Sequence, residues 1–130
     1  MIFVDTNVFI LFVGHEHPHR AQARDFLEGA AEHGHRLATS SEVLQEILHF
    51  YHRSRREPEM DEAFALLDRT VSDVWPVERA DVERARGLAR RYPGLKARDL
   101  VHLACCIRRK ARELFTFDRS LAAAWEAQRR

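Results

Sequence analysis

Four acidic side chains stand where a carboxylate needs a reason to be. Asp5 falls between two apolar runs in MIFVDTNVFI, and Asp118 follows the apolar run of LFTFD. Asp99 opens the apolar stretch of KARDLVHLACC, and Glu46 lies inside TSSEVLQEILHF on the border of an apolar helical stripe. A charge set between buried stretches carries a solvation cost. Each acid has a local explanation: Asp5, Asp99 and Asp118 each suit the N-cap of a helix, and Glu46 suits a half-exposed helix edge. Glu42 stands three residues after Thr39, the spacing of a capping box, which gives it a structural role. The conjunction asks for more. Carboxylates that converge without counter-charge repel and raise one another's pKa values. A hard divalent cation removes that problem, because Mg²⁺ and Mn²⁺ take oxygen ligands and keep several waters. Such an ion in a cleft is suited to phosphoryl chemistry.

The hydrophobic pattern predicts elements that could bring the four together. Residues 2–4 read as a buried strand, 6–13 as a helix, and GHEHPH (14–19) as a turn. A helix follows over 19–33, then a short strand at 36–39. TSSEVLQEILHFYHR is a strong amphipathic helix with Val43, Leu44, Ile47, Leu48 and Tyr51 on one face, broken by SRREPE. A helix over 60–70, a weak strand at 74–77 and an Arg-rich helix over 80–91 come next, the last stopped by YPG. Residues 99–111 form a helix apolar on most sides, 113–117 a strand and 121–128 a final helix. Alternating strands and helices imply right-handed crossovers and a parallel sheet covered on both faces. Ligands of such sheets bind beyond the carboxyl ends of the strands. Asp5 and Asp118 end strands at that edge, and Glu46 sits on a helix leaving it.

At 130 residues and 45% apolar content the chain suits one domain, 1–130, with one core. No apolar run approaches the roughly 20 residues of a membrane span. The start of the chain reads as a strand, not a signal peptide. Cys105 and Cys106 are adjacent in an apolar helix, where neighbours diverge by about 100°, so they read as buried reduced thiols of a cytoplasmic protein. Net charge is only +1, which gives no strong electrostatic case for nucleic acid. The basic side is nevertheless skewed to arginine, with Lys96 and Lys110 the only lysines. Arginine suits bidentate phosphate contact, and genome base composition produces the same skew.

FVDTNVFI, TSSEVLQEIL, YPGLKARDLVHLA and LFTFDRSL, in that order and spacing, resemble the PIN-domain ribonucleases, most closely the VapC-type toxins of bacterial toxin–antitoxin pairs. The resemblance covers nearly the whole chain. It implies a PIN-like α/β/α sandwich around a central parallel sheet, with the acidic quartet falling on Asp5, Glu46, Asp99 and Asp118. Polar helpers fall on Thr6, Asn7, Ser40 and Thr116. It also implies Mg²⁺ or Mn²⁺ dependence, an RNA substrate, frequent homodimers and a small antitoxin that blocks the site. One departure is visible: the chain continues only 12 residues past Asp118, where relatives often add a further short strand.

The expected chemistry is hydrolysis of a phosphodiester by metal-activated water. Asp5 and Asp99 are the expected direct ligands. Asp118 and Glu46 act through waters, at a second ion, or on the attacking water. His102, one turn after Asp99, reads as a packed or hydrogen-bonded histidine rather than a phosphate contact. HEHPH lacks a second pair of ligands for zinc and reads as a solvated loop, and His49 and His52 carry no metal signal. Arginines leaving the Glu46 helix (Arg53, Arg55, Arg56) and approaching Asp99 (Arg84, Arg86, Arg90, Arg91, Arg98) are the candidate RNA contacts. A receiver-type domain would need a lysine at a strand end, and neither lysine stands there. A PIN-fold RNA- or protein-binding module without catalysis is the alternative, and a nuclease assay with and without EDTA separates the two.

Overall fold

The run Ile2, Phe3, Val4 is buried on both sides, as befits the middle of a parallel sheet. The computed structural model describes residues 1–130. Its elements are β1 (Ile2–Val4), α1 (Thr6–Val13), α2 (Arg20–Glu32), β2 (Leu37–Ser40), α3 (Ser41–Ser54), α4 (Glu57–Thr70), β3 (Asp73–Trp75), α5 (Arg79–Ala89), α6 (Ala97–Arg108), β4 (Glu113–Phe115) and α7 (Arg119–Arg129). The strands lie in the order β3-β2-β1-β4, all parallel, with Phe3 opposite both Ala38 and Leu114. The chain steps from β1 to β2 to β3 in one direction, then crosses back to β4 on the far side of β1. Right-handed crossovers therefore put α1 to α4 over one face and α5 and α6 over the other, with α7 packed on α6. This is the expected three-layer α/β/α sandwich. No helix is long and apolar enough to cross a membrane.

The core joins the layers through Phe3, Phe9, Leu27, Ile47, Tyr51 and Leu103, all essentially inaccessible. Cys105 and Cys106 are buried and unbridged, and burial pushes the Cys105 thiol up to about 12.

Several boundaries differ from expectation for identifiable reasons. The break after α3 shrinks to Arg55 and Arg56, because Arg55 adopts the left-handed conformation (φ 56°) and Pro58 fits the first turn of α4, where its missing N–H costs nothing. Ser40, not Thr39, caps α3, accepting from Val43 N at 3.4 Å. Thr39 belongs to the sheet, and its hydroxyl donates to Val4 O at 2.9 Å. The Thr39–Glu42 capping box is therefore not formed. Asp99 is not a cap either: Lys96 is the N-cap of α6, and Asp99 sits inside the first turn. A capping box does occur at α5, between Glu78 and Asp81.

Asp81 also anchors α5 to α6. It is fully buried and accepts from Arg108 Nη1 at 2.7 Å and Arg109 Nη1 at 2.8 Å. Burial works against its charge, but these guanidinium hydrogen bonds win and hold the carboxyl down at about 2.

Candidate active site

β1, β2 and β4 end at one edge of the sheet, and the strand order reverses between β1 and β4. A crevice is expected at that switch point, and polar side chains fill its floor. Asp5 caps α1, its Oδ1 accepting from Thr6 N at 2.7 Å. Its Oδ2 accepts from the Thr116 hydroxyl at 2.6 Å and from Asn7 Nδ2 at 3.3 Å. Thr116 Oγ1 in turn accepts from Asn7 Nδ2 at 3.2 Å and from Asp118 N at 3.0 Å. Asn7 Oδ1 accepts from Phe117 N at 3.3 Å, which ends β4 two residues earlier than its apolar run suggests. One network thus ties the end of β1 to the end of β4. Asp118 caps α7 through Leu121 N at 3.0 Å.

Glu46 arrives from α3. Its Oε2 accepts from the Thr6 hydroxyl at 2.5 Å and its Oε1 from His102 Nε2 at 2.8 Å. His102 Nε2 is also 3.4 Å from Asp5 Oδ1. Because a carboxylate can only accept, Nε2 carries the hydrogen. The ligand-capable atoms of Asp5, Glu46 and His102 lie within 4.8 Å of one another. Asp99, one turn before His102 on α6, is buried and lines a cleft of about 180 Å³ with Asp5, Asn7, Glu46, Arg98 and Asp118. Ser40 is buried at the end of β2 but serves the α3 cap and does not line the cleft.

The electrostatics follow from this crowding. Burial raises the Asp99 carboxyl above its ordinary value, and the charges of Asp5, Asp118 and Glu46 raise it further against the pull of His102. Burial also works against the charge of Glu46, but the His102 and Thr6 hydrogen bonds outweigh it and the carboxyl ends lowered. Burial likewise opposes the charge of His102, and the Glu46 hydrogen bond and the Asp5 charge overcome it, so its pKa is raised. The only ion pairs made by the four acids are those of Asp5 and Glu46 with His102. A buried carboxyl raised by its carboxylate neighbours is the signature of a site short of positive charge, and hard oxygen donors fit a divalent cation.

The cleft gathers all four expected acids with Thr6 and Asn7, and Thr116 bonds to Asp5 and Asn7 from behind its lining. The expectation of a hydrogen-bonded His102 holds, but its partner is Glu46, 56 residues away. A histidine one turn after Asp99 on an otherwise apolar helix was the available signal. His17 and His19 of the turn gather no metal-holding cluster, and His19 stacks on Phe117 at 4.8 Å. Among the arginines, Arg98 lines the cleft and Arg53 a groove beside it. Arg84 lies apart, with Arg79 and Arg108, and Arg86 is 3.8 Å from Glu83.

Comparison with known proteins gives a consistent picture. A family model described as PIN domain matches residues 2–125. The chain is 52% identical over 127 residues to Ribonuclease VapC23 of Mycobacterium tuberculosis, covering 98% of this chain and 100% of that one. It is 43% identical over 119 residues to VapC ribonuclease Mb1869c of Mycobacterium bovis, covering 92% and 91% of the two. Among solved structures, VapC20 of Mycobacterium tuberculosis, described as a Sarcin-Ricin loop cleaving toxin, superposes with a TM-score of 0.81 at 21% identity over 95% of each chain. A toxin–antitoxin complex from Klebsiella pneumoniae contains a chain that superposes with a TM-score of 0.64 at 23% identity, over 91% of this chain and 87% of that one. At such identities the structural likenesses establish the fold.

Proposed function

The chain belongs to the PIN-domain family, and on that premise we propose that it is a Mg²⁺- or Mn²⁺-dependent endoribonuclease, the toxin of a toxin–antitoxin pair. The observation that carries the reading is the meeting of Asp5, Glu46, Asp99 and Asp118 in one cleft at the switch point of the sheet. The printed function of relatives such as Ribonuclease VapC23 supports it.

In this reading Asp5, Asp99 and Asp118 hold the ion. When bound, it supplies charge for the phosphoryl oxygens and acidifies water. The chain's own residues do the positioning. Thr116 and Asn7 fix Asp5, and Thr6 and His102 fix Glu46, which orients the attacking water. Ser40 acts indirectly, by capping the start of α3, the helix that carries Glu46. Neither thiol serves as nucleophile, since burial keeps both protonated. The protein acts in the cytoplasm as a homodimer, and a small antitoxin covers the cleft.

Purified protein should cut RNA with Mg²⁺ or Mn²⁺ and stop in EDTA. Asp5→Asn and Asp99→Asn should abolish cutting while circular dichroism stays unchanged. Full activity in a folded Asp99→Asn protein, or cutting that ignores EDTA, would sink the reading.

A further inference from the structure

A second, larger groove of about 480 Å³ opens directly from the acidic cleft. The two share Thr6, Ile10, Glu46 and Arg98, so they form one continuous depression. Beyond the shared residues the wall is the side of α3 that carries Gln45, His49, Phe50 and Arg53, positions that helical spacing brings together. Phe50 is 39% exposed, one of only four large apolar side chains left so open. It is anchored all the same, edge-to-face on Tyr51 at 4.9 Å and with the Arg56 guanidinium 5.9 Å from its centroid. Arg53 and Arg98 lie on the same groove, and neither forms an ion pair with a carboxylate. Glu42 also lines the groove, its carboxyl raised by burial and by Glu46.

We propose that this groove seats an unpaired stretch of the RNA strand on one side of the phosphate that is cut. Phe50 stacks on a base, Arg53 and Arg98 contact backbone phosphates, and Gln45 and His49 meet base edges. The inference rests on the ribonuclease reading of the adjacent cleft. An endonuclease must hold its strand on both sides of the scissile bond, and this depression continues from the cleft. Single-stranded nucleic acid offers flat apolar faces between charged phosphates, and an exposed ring flanked by guanidiniums that make no direct ion pair matches that alternation. Base faces are available only where the strand is unpaired, so a duplex cannot use Phe50 in this way.

The test is fluorescence anisotropy with a short, labelled, mixed-sequence single-stranded RNA. The full-length chain carries Asp99→Asn and Mg²⁺ is present, so that the RNA stays whole. Adding Phe50→Ala should weaken binding about 5- to 150-fold, the range for loss of one stacked base. Phe50→Trp should retain it. Arg53→Ala should weaken binding and make the salt dependence shallower by roughly 0.7 in the log–log slope, one phosphate's worth. Arg79→Ala, at an exposed position in the first turn of α5, should change nothing. A blunt duplex of the same sequence should bind more weakly and ignore residue 50. Parental affinity in folded Phe50→Ala and Arg53→Ala proteins would overturn the proposal, as would duplex binding with the same dependence on Phe50. If Phe50→Ala splits an oligomer in sedimentation while RNA affinity stays intact, the face is an interface between copies and the proposal is wrong. The two readings fail separately. RNA held through the groove but never cut by the wild-type chain refutes only the nuclease assignment. Metal-dependent cutting with groove-independent binding refutes only the groove.

Discussion

His102 Nε2 donates to Glu46 Oε1 at 2.8 Å, while the Thr6 hydroxyl holds the other oxygen at 2.5 Å. Both oxygens of Glu46 thus have a donor, and a side chain with several rotatable bonds is fixed in one orientation. His102→Leu roughly keeps the side chain's bulk and removes the donor to Glu46. It should lower kcat about 10- to 100-fold, the usual cost of losing a residue that orients a site carboxylate, with KM little changed. His102→Gln can donate from a similar position and should recover most of the loss. Steady-state kinetics on the pair decide; equal losses would mean that the hydrogen bond is not what matters.

Glu42 and Glu46 lie one turn apart and are expected to part company on mutation. Glu46→Gln should keep the fold and lose at least about 100-fold in turnover, in the range for a displaced proton-handling group. Glu42→Gln removes a carboxylate whose charge is opposed by burial and by Glu46, so kcat should hold and the melting temperature in EDTA should rise slightly. Parallel activity and melting measurements separate the two roles.

Asp99 should show its repulsion as a stability cost. Its folded-state pKa is raised, first by burial and then by Asp5, so folding favours the protonated form. The associated stability is present below the unfolded value and is lost as pH rises through the folded one. In EDTA at neutral pH, Asp99→Asn should melt above wild type. The advantage should shrink towards pH 4 and below, near the ordinary value of about 3.9, where wild type carries the proton. Added Mn²⁺ should raise the melting temperature of wild type and leave the variant nearly unmoved. A scanning-calorimetry series over pH checks both.

The Asp81 anchor should behave with the opposite sign. Its carboxyl is held at about 2, so its contribution is present above the ordinary carboxylate range and fades as pH falls towards that value. Asp81→Asn strips the partner from Arg108 and Arg109 and should cost about 3 kcal/mol at neutral pH, the lower end for breaking a buried pair because both arginines are partly solvated. Urea unfolding at neutral and acid pH measures the cost and its fading.

The products of cleavage should carry 5′-phosphate and 3′-hydroxyl ends. His102, the histidine nearest the acids, is completely buried with its Nε2 turned to Glu46, so it cannot reach a ribose hydroxyl. A substrate with one 2′-deoxy sugar at the scissile position should still be cut. Mass spectrometry of the ends is decisive: 2′,3′-cyclic phosphate would place the nucleophile in the RNA and demand another base.

Asp5 and Asp118 were legible because a charge at the end of a buried strand in an alternating pattern has few places to go. Glu46 was legible as an acid within a helix on the rim of an apolar stripe. The start of α3 was not, since Thr39 and Ser40 both suit a cap. Only the pairing of Thr39 with Val74, and its hydroxyl's reach to Val4, decides between them. Nor did local sequence mark Asp81, because its arginine partners lie 27 and 28 residues away and each charge alone looks like a solvated surface. Positions governed by local periodicity could be read, and those settled by long-range pairing could not.

β4 is the last strand and it pairs with the first. The hydroxyl that steadies Asp5 belongs to Thr116, 111 residues downstream. A ribosome making this chain at roughly 5–20 residues per second therefore exposes Asp5, Glu46 and Asp99 before it has made Thr116 or Asp118. A nascent chain that has not reached β4 lacks the residues that fix one wall of the cleft. For the proposed ribonuclease, assembly of the cleft therefore waits on the strand that pairs with the first one made.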